Sequence, residues 1–285
     1  MLAGSWRRRL CVNVYISVDI EGIAGVTSRN HSGADGIDYG RAREWMTGTA
    51  VAAAEAALGA GAERVTISDG HGAKENILID RLPIRCRLVR GGLRPLGMMQ
   101  GIDADKFDAA MLLGYHAGAS AIGGVLAHTN RGSLREVRLN GRIANEAMFN
   151  SALAGECGVP VVLASGDDVF AAELATFLPR TECVVVQQSH GALAATAITP
   201  AAAEAAIRAA VPAALARAAE VGCFVVAPPI IVELDFKHRK PVEVLAYTPW
   251  VERIAASTIR YHAASMREAV SIFSFLMNYD ANLTG

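Results

Sequence analysis

Cys11-Val12-Asn13-Val14-Tyr15-Ile16-Ser17-Val18-Asp19-Ile20-Glu21 begins as a β-branched, apolar run and ends on two acids. A strand of a parallel sheet needs such a run, because both of its faces are covered. Residues two apart in an extended chain face the same side, so the carboxylates of Asp19 and Glu21 can converge. Two like charges held together repel unless a cation compensates them. A metal ion would do so.

Outward from this segment, strand and helix signals alternate. Residues 39–58 read as an alanine-rich helix, with Gly59 and Gly61 as stop signals. Residues 64–68 read as a strand ending at Asp69-Gly70-His71-Gly72, and residues 108–113 as one ending at Gly114-Tyr115-His116. Residues 134–139 alternate and lead into Asn140-Gly141, a tight-turn signal. A helix follows over 144–155. Strands follow at 160–164 and 182–186, the first ending at Gly166-Asp167-Asp168, whose acids suit the cap of a helix beginning near Val169. This order predicts an α/β fold: a mostly parallel sheet flanked by helices in three layers.

From Thr199 the texture changes. A long alanine-rich helix to about residue 220 is followed by strands at 224–226, 230–236 and 258–261, and by a helix over 265–277. The expected division is an N-terminal extension at 1–10, a larger α/β domain at 11–198, and a smaller second α/β lobe at 199–285.

The composition narrows the partners. Hydrophobic residues make up 52%, charged residues 19%, and the formal net charge is −1. A large core follows, with no electrostatic case for nucleic acid and no apolar stretch long enough for a membrane span. A small molecule or a second copy of the chain is the expected partner. Cys11, Cys86, Cys157, Cys183 and Cys223 are scattered and odd in number, without C-x-x-C. This points away from a disulfide framework or a thiolate zinc site and toward a reducing cytoplasm. Arg7-Arg8-Arg9 before an apolar run superficially suits a secretory signal. That run ends on acids with no small-residue cleavage site, so it is read as a strand.

In open parallel sheets, ligands bind beyond the carboxyl ends of the strands. Three such ends carry Asp19 with Glu21, His71, and His116; the following segments add His128 and Glu146. A set of imidazoles and carboxylates without thiolates suits Zn²⁺ or a similar divalent ion. Singly, each has an ordinary reading: solvated loop acids, a turn histidine, a satisfied core histidine, an acid at a helix start. Their shared place at strand ends favours the metal. His31, His190, His238 and His262 lack metal-like spacing and read as surface or structural residues.

Ser17-Val18-Asp19-Ile20-Glu21-Gly22-Ile23-Ala24-Gly25 resembles the opening motif of the zinc-dependent D-aminopeptidases of the dipeptide-transport-operon type. Further matches follow in the family's order: Ser68-Asp69-Gly70-His71-Gly72, Leu113-Gly114-Tyr115-His116-Ala117, Gly124-Val125-Leu126-Ala127-His128, Asn140-Gly141 with Glu146, and Ala164-Ser165-Gly166-Asp167-Asp168. The likeness is densest before residue 170. It implies metal ligands at Asp19, Glu21, His71, His116 and Glu146, with Asp19 bridging two Zn²⁺ ions per subunit. It also implies a catalytic His128, proposed in the family as a nucleophile. The expected activity is hydrolysis of the N-terminal peptide or amide bond of short peptides or amino-acid amides carrying a D-residue. The expected architecture is a two-part α/β fold assembled into a ring-like homodecamer with enclosed sites.

Three departures stand out: the extension at 1–10, an extra residue near Gly123-Gly124, and Gly118, where a basic residue is expected. The last weakens any transfer of substrate preference. Two alternatives stand beside the peptidase: another dimetal hydrolase such as a phosphoesterase, and a non-catalytic metal-binding assembly protein.

Overall fold

The computed structural model describes residues 12–279. The expected extension at 1–10, Cys11, and the final residues 280–285 lie outside the described residues. In chain order the strands are β1 (Val12–Val18), β2 (Ala62–Asp69), β3 (Cys86–Val89), β4 (Ala109–Leu113), β5 (Leu134–Leu139) and β6 (Arg142–Ile143). They continue with β7 (Val161–Asp167), β8 (Glu182–Gly191), β9 (Ala194–Ala197), β10 (Ile230–Phe236), β11 (Val251–Arg253) and β12 (Thr258–Ala263). The helices are α1 (Arg29–Ser32), α2 (Tyr39–Gly59), α3 (Glu146–Glu156), α4 (Asp168–Ala175), α5 (Pro200–Ala216), α6 (Ala218–Val221), α7 (Arg239–Leu245) and α8 (Met266–Asn278).

Seven strands form one sheet in the order β3-β2-β1-β4-β7-β8-β9. All its pairings are parallel except the β8–β9 hairpin. From β1 the chain winds outward to β2 and β3, then returns to place β4 on the other side of β1. The strand order therefore reverses between β1 and β4, which is where a doubly wound sheet opens a ligand crevice.

The period of two in β1 divides the core. Val14, Ile16 and Val18 face one cluster, formed with the alanines of α2 and with Ile207 and Val211 of α5. Tyr15 faces the other, with Tyr115, the apolar face of α3, and residues of α8. Alanine on α2 lets that helix lie close to the sheet and to α5. Helices cover both faces, as the alternation of signals predicts.

The second sheet is antiparallel, in the order β11-β12-β10-β5-β6. Strand β10 alternates buried and half-exposed residues along its length, as expected of a sheet with one covered face. Its membership crosses residue 199. Strands β5 and β6 come from before that point, while α5, expected to open the smaller lobe, packs on α2 and on β7 and β8 of the first sheet.

Two local expectations change. Helix α5 ends at Ala216, and the short α6 follows. Residues 224–226 are not a strand: Phe224 passes across Gly155 of α3, where a Cβ would meet the Phe224 carbonyl oxygen at 2.0 Å. The segment packs on a helix rather than pairing with a sheet.

Candidate metal centre

Asp19 leaves the end of β1 with its N–H donating to the Leu113 carbonyl of β4 at 2.8 Å, so the first acid is pinned across the switch point. Three residues on, Gly22 donates to the Gly114 carbonyl at 2.8 Å. A Cβ on Gly22 would stand 1.9 Å from the Tyr115 carbonyl oxygen, so only glycine permits this approach. The close crossing of the β1 and β4 loops brings Asp19 and Glu21 to His116.

His71 is carried by the turn after β2. Asp69 braces that turn, accepting from Asn76 N at 2.6 Å, Asn76 Nδ2 at 2.7 Å and Ile77 N at 2.8 Å. Glu146 opens α3, whose N-cap is Asn145; the Asn145 side chain accepts from Met148 N at 2.9 Å. Asn145 Nδ2 donates to Glu173 at 2.7 Å, and the same carboxylate accepts from Gly118 N at 2.9 Å, tying α3 to the loop after His116.

The structure brings all six expected residues together. Ligand atoms of Asp19, Glu21 and His116 lie within 4.8 Å of one another, as do those of His116, His128 and Glu146. His71 Nδ1 is 2.9 Å from Glu21 and 3.4 Å from Asp19. His116 Nε2 is 3.4 Å from Asp19 and 3.5 Å from Glu146. His128 Nε2 is 3.9 Å from Glu146, and its ring stacks on His116 with centroids 4.1 Å apart. His128 thus joins the second group of potential ligands.

Each histidine has its far nitrogen occupied by a main-chain carbonyl. His71 Nε2 donates to Ser32 O at 2.7 Å, His116 Nδ1 to Ala117 O at 3.0 Å, and His128 Nδ1 to Leu126 O at 2.8 Å. A carbonyl can only accept, so in the neutral rings the lone pairs of His71 Nδ1, His116 Nε2 and His128 Nε2 face the carboxylates. Metal-binding histidines are characteristically oriented this way. His116 Nε2 is buried and has no hydrogen-bond partner, and a divalent ion would satisfy it. The donor set and its geometry fit zinc.

The electrostatics point the same way. Burial opposes charge on His71 and His116, yet the carboxylates around each outweigh it and hold both well above the usual imidazole range. Burial also opposes ionisation of Asp19, but His116 and His71 hold its carboxyl well below the usual range. For Glu146, burial is likewise outweighed, chiefly by His116. Without a cation the site gathers protons; with one, it would release them. Leu126 (φ 53°) and Asn130 (φ 61°) flank His128 in the left-handed region. Asn130 N donates to Glu146 at 2.6 Å, which places this strained loop against the site.

The other expected residues fall outside the cluster. Asp167 caps α4, accepting from Phe170 N at 2.7 Å, and Asp168 accepts from Ser189 N at 2.8 Å. His31 packs beside Trp45, and His190 bonds Thr196. Sequence reading left Asn145, Glu173 and Asp69 without a role. Asn145 alone had a usable signal, an Asn beside the start of the helix read over 144–155, which in the structure begins at Glu146.

Fold and site define the class: a doubly wound α/β protein whose switch point carries a carboxylate–histidine centre able to hold divalent metal. The peptidase M55 family, described as D-aminopeptidase, matches residues 12–275. A D-aminopeptidase of Bacillus subtilis (strain 168) is 32% identical over 190 residues, covering 67% of this chain and 69% of that protein. The solved structure of the zinc-dependent D-aminopeptidase DppA from Bacillus subtilis, described as a self-compartmentalizing protease, superposes with a TM-score of 0.90. It is 27% identical and covers 95% of this chain and 99% of that one. The chain belongs to the D-aminopeptidase family, an aminopeptidase and hydrolase by class. That membership takes the peptidase over the phosphoesterase and the non-catalytic assembly protein.

Proposed function

We propose that this chain is a zinc-dependent D-aminopeptidase that removes the N-terminal residue of short peptides or amino-acid amides, with D-alanine-type residues at that end. The observation that carries the reading is the buried, unpartnered Nε2 of His116, aimed at Asp19 and Glu146 in a cluster whose three histidines all present lone pairs. Asp19, Glu21 and His71 would hold one ion; Asp19, His116 and Glu146 would hold a second. Asp19 would be shared between them, since its two oxygens face different histidines.

Zinc, when bound, supplies Lewis-acid polarisation of the scissile carbonyl. The chain supplies the rest. His128 presents its Nε2 lone pair beside Glu146, with Nδ1 held by Leu126 O. From there it either takes a proton from the attacking water and returns that proton to the leaving amine, or attacks the carbonyl carbon itself, the amine then leaving with a proton from water and a second water freeing the acylated ring. An acyl-enzyme trapped on His128 and seen by mass spectrometry separates nucleophile from base. Burial of Asp19, His116 and Glu146 keeps bulk water from their charges and strengthens every interaction among them.

A homo-oligomer, as a homodecamer with enclosed sites, and a cytoplasmic location complete the proposal. The self-compartmentalizing relative supports the first. For the second, Cys86, Cys157, Cys183 and Cys223 are free thiols, and no helix among the described residues is long and apolar enough to cross a membrane. The deciding experiment is elemental analysis of the purified protein beside hydrolysis of D-alanyl and L-alanyl amides. Zinc with D-selective hydrolysis is expected; protein that binds no zinc and cleaves neither amide would sink the reading.

A further inference from the structure

Lys74 stands at the same strand ends with no task in the reading above. Its N–H donates to His71 O at 2.8 Å and its carbonyl accepts from Gly91 N at 2.8 Å, so its backbone is fixed on both sides. Its φ is +64°, a left-handed conformation that a side-chain-bearing residue adopts only at a cost. The turn sends the side chain back toward the sheet, where the ammonium donates to the Gly70 carbonyl. Gly70 in turn donates to the Val18 carbonyl at 2.7 Å, directly before Asp19. The cation is thereby delivered to the adjoining ends of β1 and β2.

That placement is electrostatically unusual. Burial draws the Lys74 ammonium below its ordinary pKa, against the pull of Asp19 and Glu146, while Arg94 adds to the lowering. The nearby carboxylates turn their oxygens to histidines, and Lys74 makes no ion pair among the described residues. A half-buried ammonium with one carbonyl partner keeps donors free. An incoming anionic oxygen would take one up.

Resting on the function proposed above, we propose that Lys74 Nζ donates a hydrogen bond to the oxygen of the scissile carbonyl. As the nucleophile adds to the carbonyl carbon, the C=O π pair moves onto oxygen, where the ammonium holds the charge. The pair returns as the C–N bond breaks, and the leaving amine takes up a proton from His128 or water, Lys74 keeping its own. A preset donor in a water-poor site contributes more to such a step than one in bulk water.

The test uses the full, zinc-loaded protein with two substrates: a D-alanyl anilide, which has no carboxylate, and a D-alanyl dipeptide, which has one. Lys74→Met is expected to keep its zinc and its Tm, with little change in KM and a fall in kcat of about 100-fold on both substrates. Ethylammonium added to Lys74→Ala is expected to restore part of the rate. An unchanged kcat overturns the proposal. So does loss of zinc or Tm in Lys74→Met, since the lysine would then only anchor its loop. A loss confined to the dipeptide also overturns it, because the cation would then read the substrate terminus. Wild-type protein that neither holds zinc nor cleaves either substrate would sink the underlying reading itself, and the proposal with it.

Discussion

Asp19 divides its carboxylate between two histidines: Oδ1 lies 3.4 Å from His71 Nδ1, and Oδ2 lies 3.4 Å from His116 Nε2. One side chain therefore faces both halves of the site. Asp19→Asn keeps the shape and removes the charge. It is expected to lose bound zinc and to lower kcat/KM by at least about 100-fold, because even outer partners of metal ligands are worth 10–100-fold. Elemental analysis and amide hydrolysis check this; full zinc and full rate would refute the assignment.

His128→Ala separates chemistry from metal retention. Asp19, Glu21, His71, His116 and Glu146 remain, so zinc should stay while kcat falls about 10²–10⁴-fold, the usual worth of a proton-transfer group. Loss of zinc along with activity would instead make His128 a ligand, as its grouping with His116 and Glu146 permits.

The pH dependence of the metal-free protein follows from the raised pKa values of His71 and His116. Above the ordinary 6.5, and below the folded-state values, the folded chain binds more protons than the unfolded chain. Stability of chelator-treated protein should therefore fall as pH rises through that window. Asp19 acts oppositely: its depressed pKa contributes stability above about 3.8 that is lost as pH falls toward the folded value. Zinc must displace the imidazole protons, so the gain in Tm on adding zinc should grow with pH. Thermal melts with and without chelator decide it; a pH-independent zinc increment would contradict the site.

Gly22→Ala places a Cβ 1.9 Å from the Tyr115 carbonyl oxygen, a clash that only backbone movement relieves. A destabilisation of about 1–3 kcal/mol is expected, with weaker zinc binding because the same loop carries Glu21. Denaturant unfolding and a zinc titration measure both effects.

Asn145→Ala removes the cap of α3 and the link to Glu173. It should cost about 1 kcal/mol in unfolding free energy. Turnover should drop as well, since Glu146 is the first residue of that helix. A stable variant with unchanged kcat would show that the cap does not position Glu146.

Much of this protein is legible locally. The β-branched run before Asp19, the alanines of α2, and Asn140-Gly141 with φ of 48° and 77° each encode their structure within a few residues. The second sheet was less legible, because β5 pairs with β10, about ninety residues away, in a register that sets Leu139 opposite Val232 and Val137 opposite Leu234. No period within either segment states that pairing. Residues 224–226 failed for the same reason: an apolar triplet has the composition of a strand, and only packing against Gly155 settles what it does.

The sequence by itself determined the chemical identity of the donors and the place of Asp19, Glu21, His71 and His116 at strand ends, since strand period and turn signals are short-range properties of the chain. Only the tertiary structure decided how those donors meet. The carbonyls of Ser32, Ala117 and Leu126 orient the three rings, the crossing at Gly22 and Gly114 closes β1 onto β4, and the backbone of Lys74 aims its ammonium at the strand ends. The reason is physical: those hydrogen bonds and close approaches depend on where the packed sheet and its loops place each group, which short-range sequence patterns do not specify.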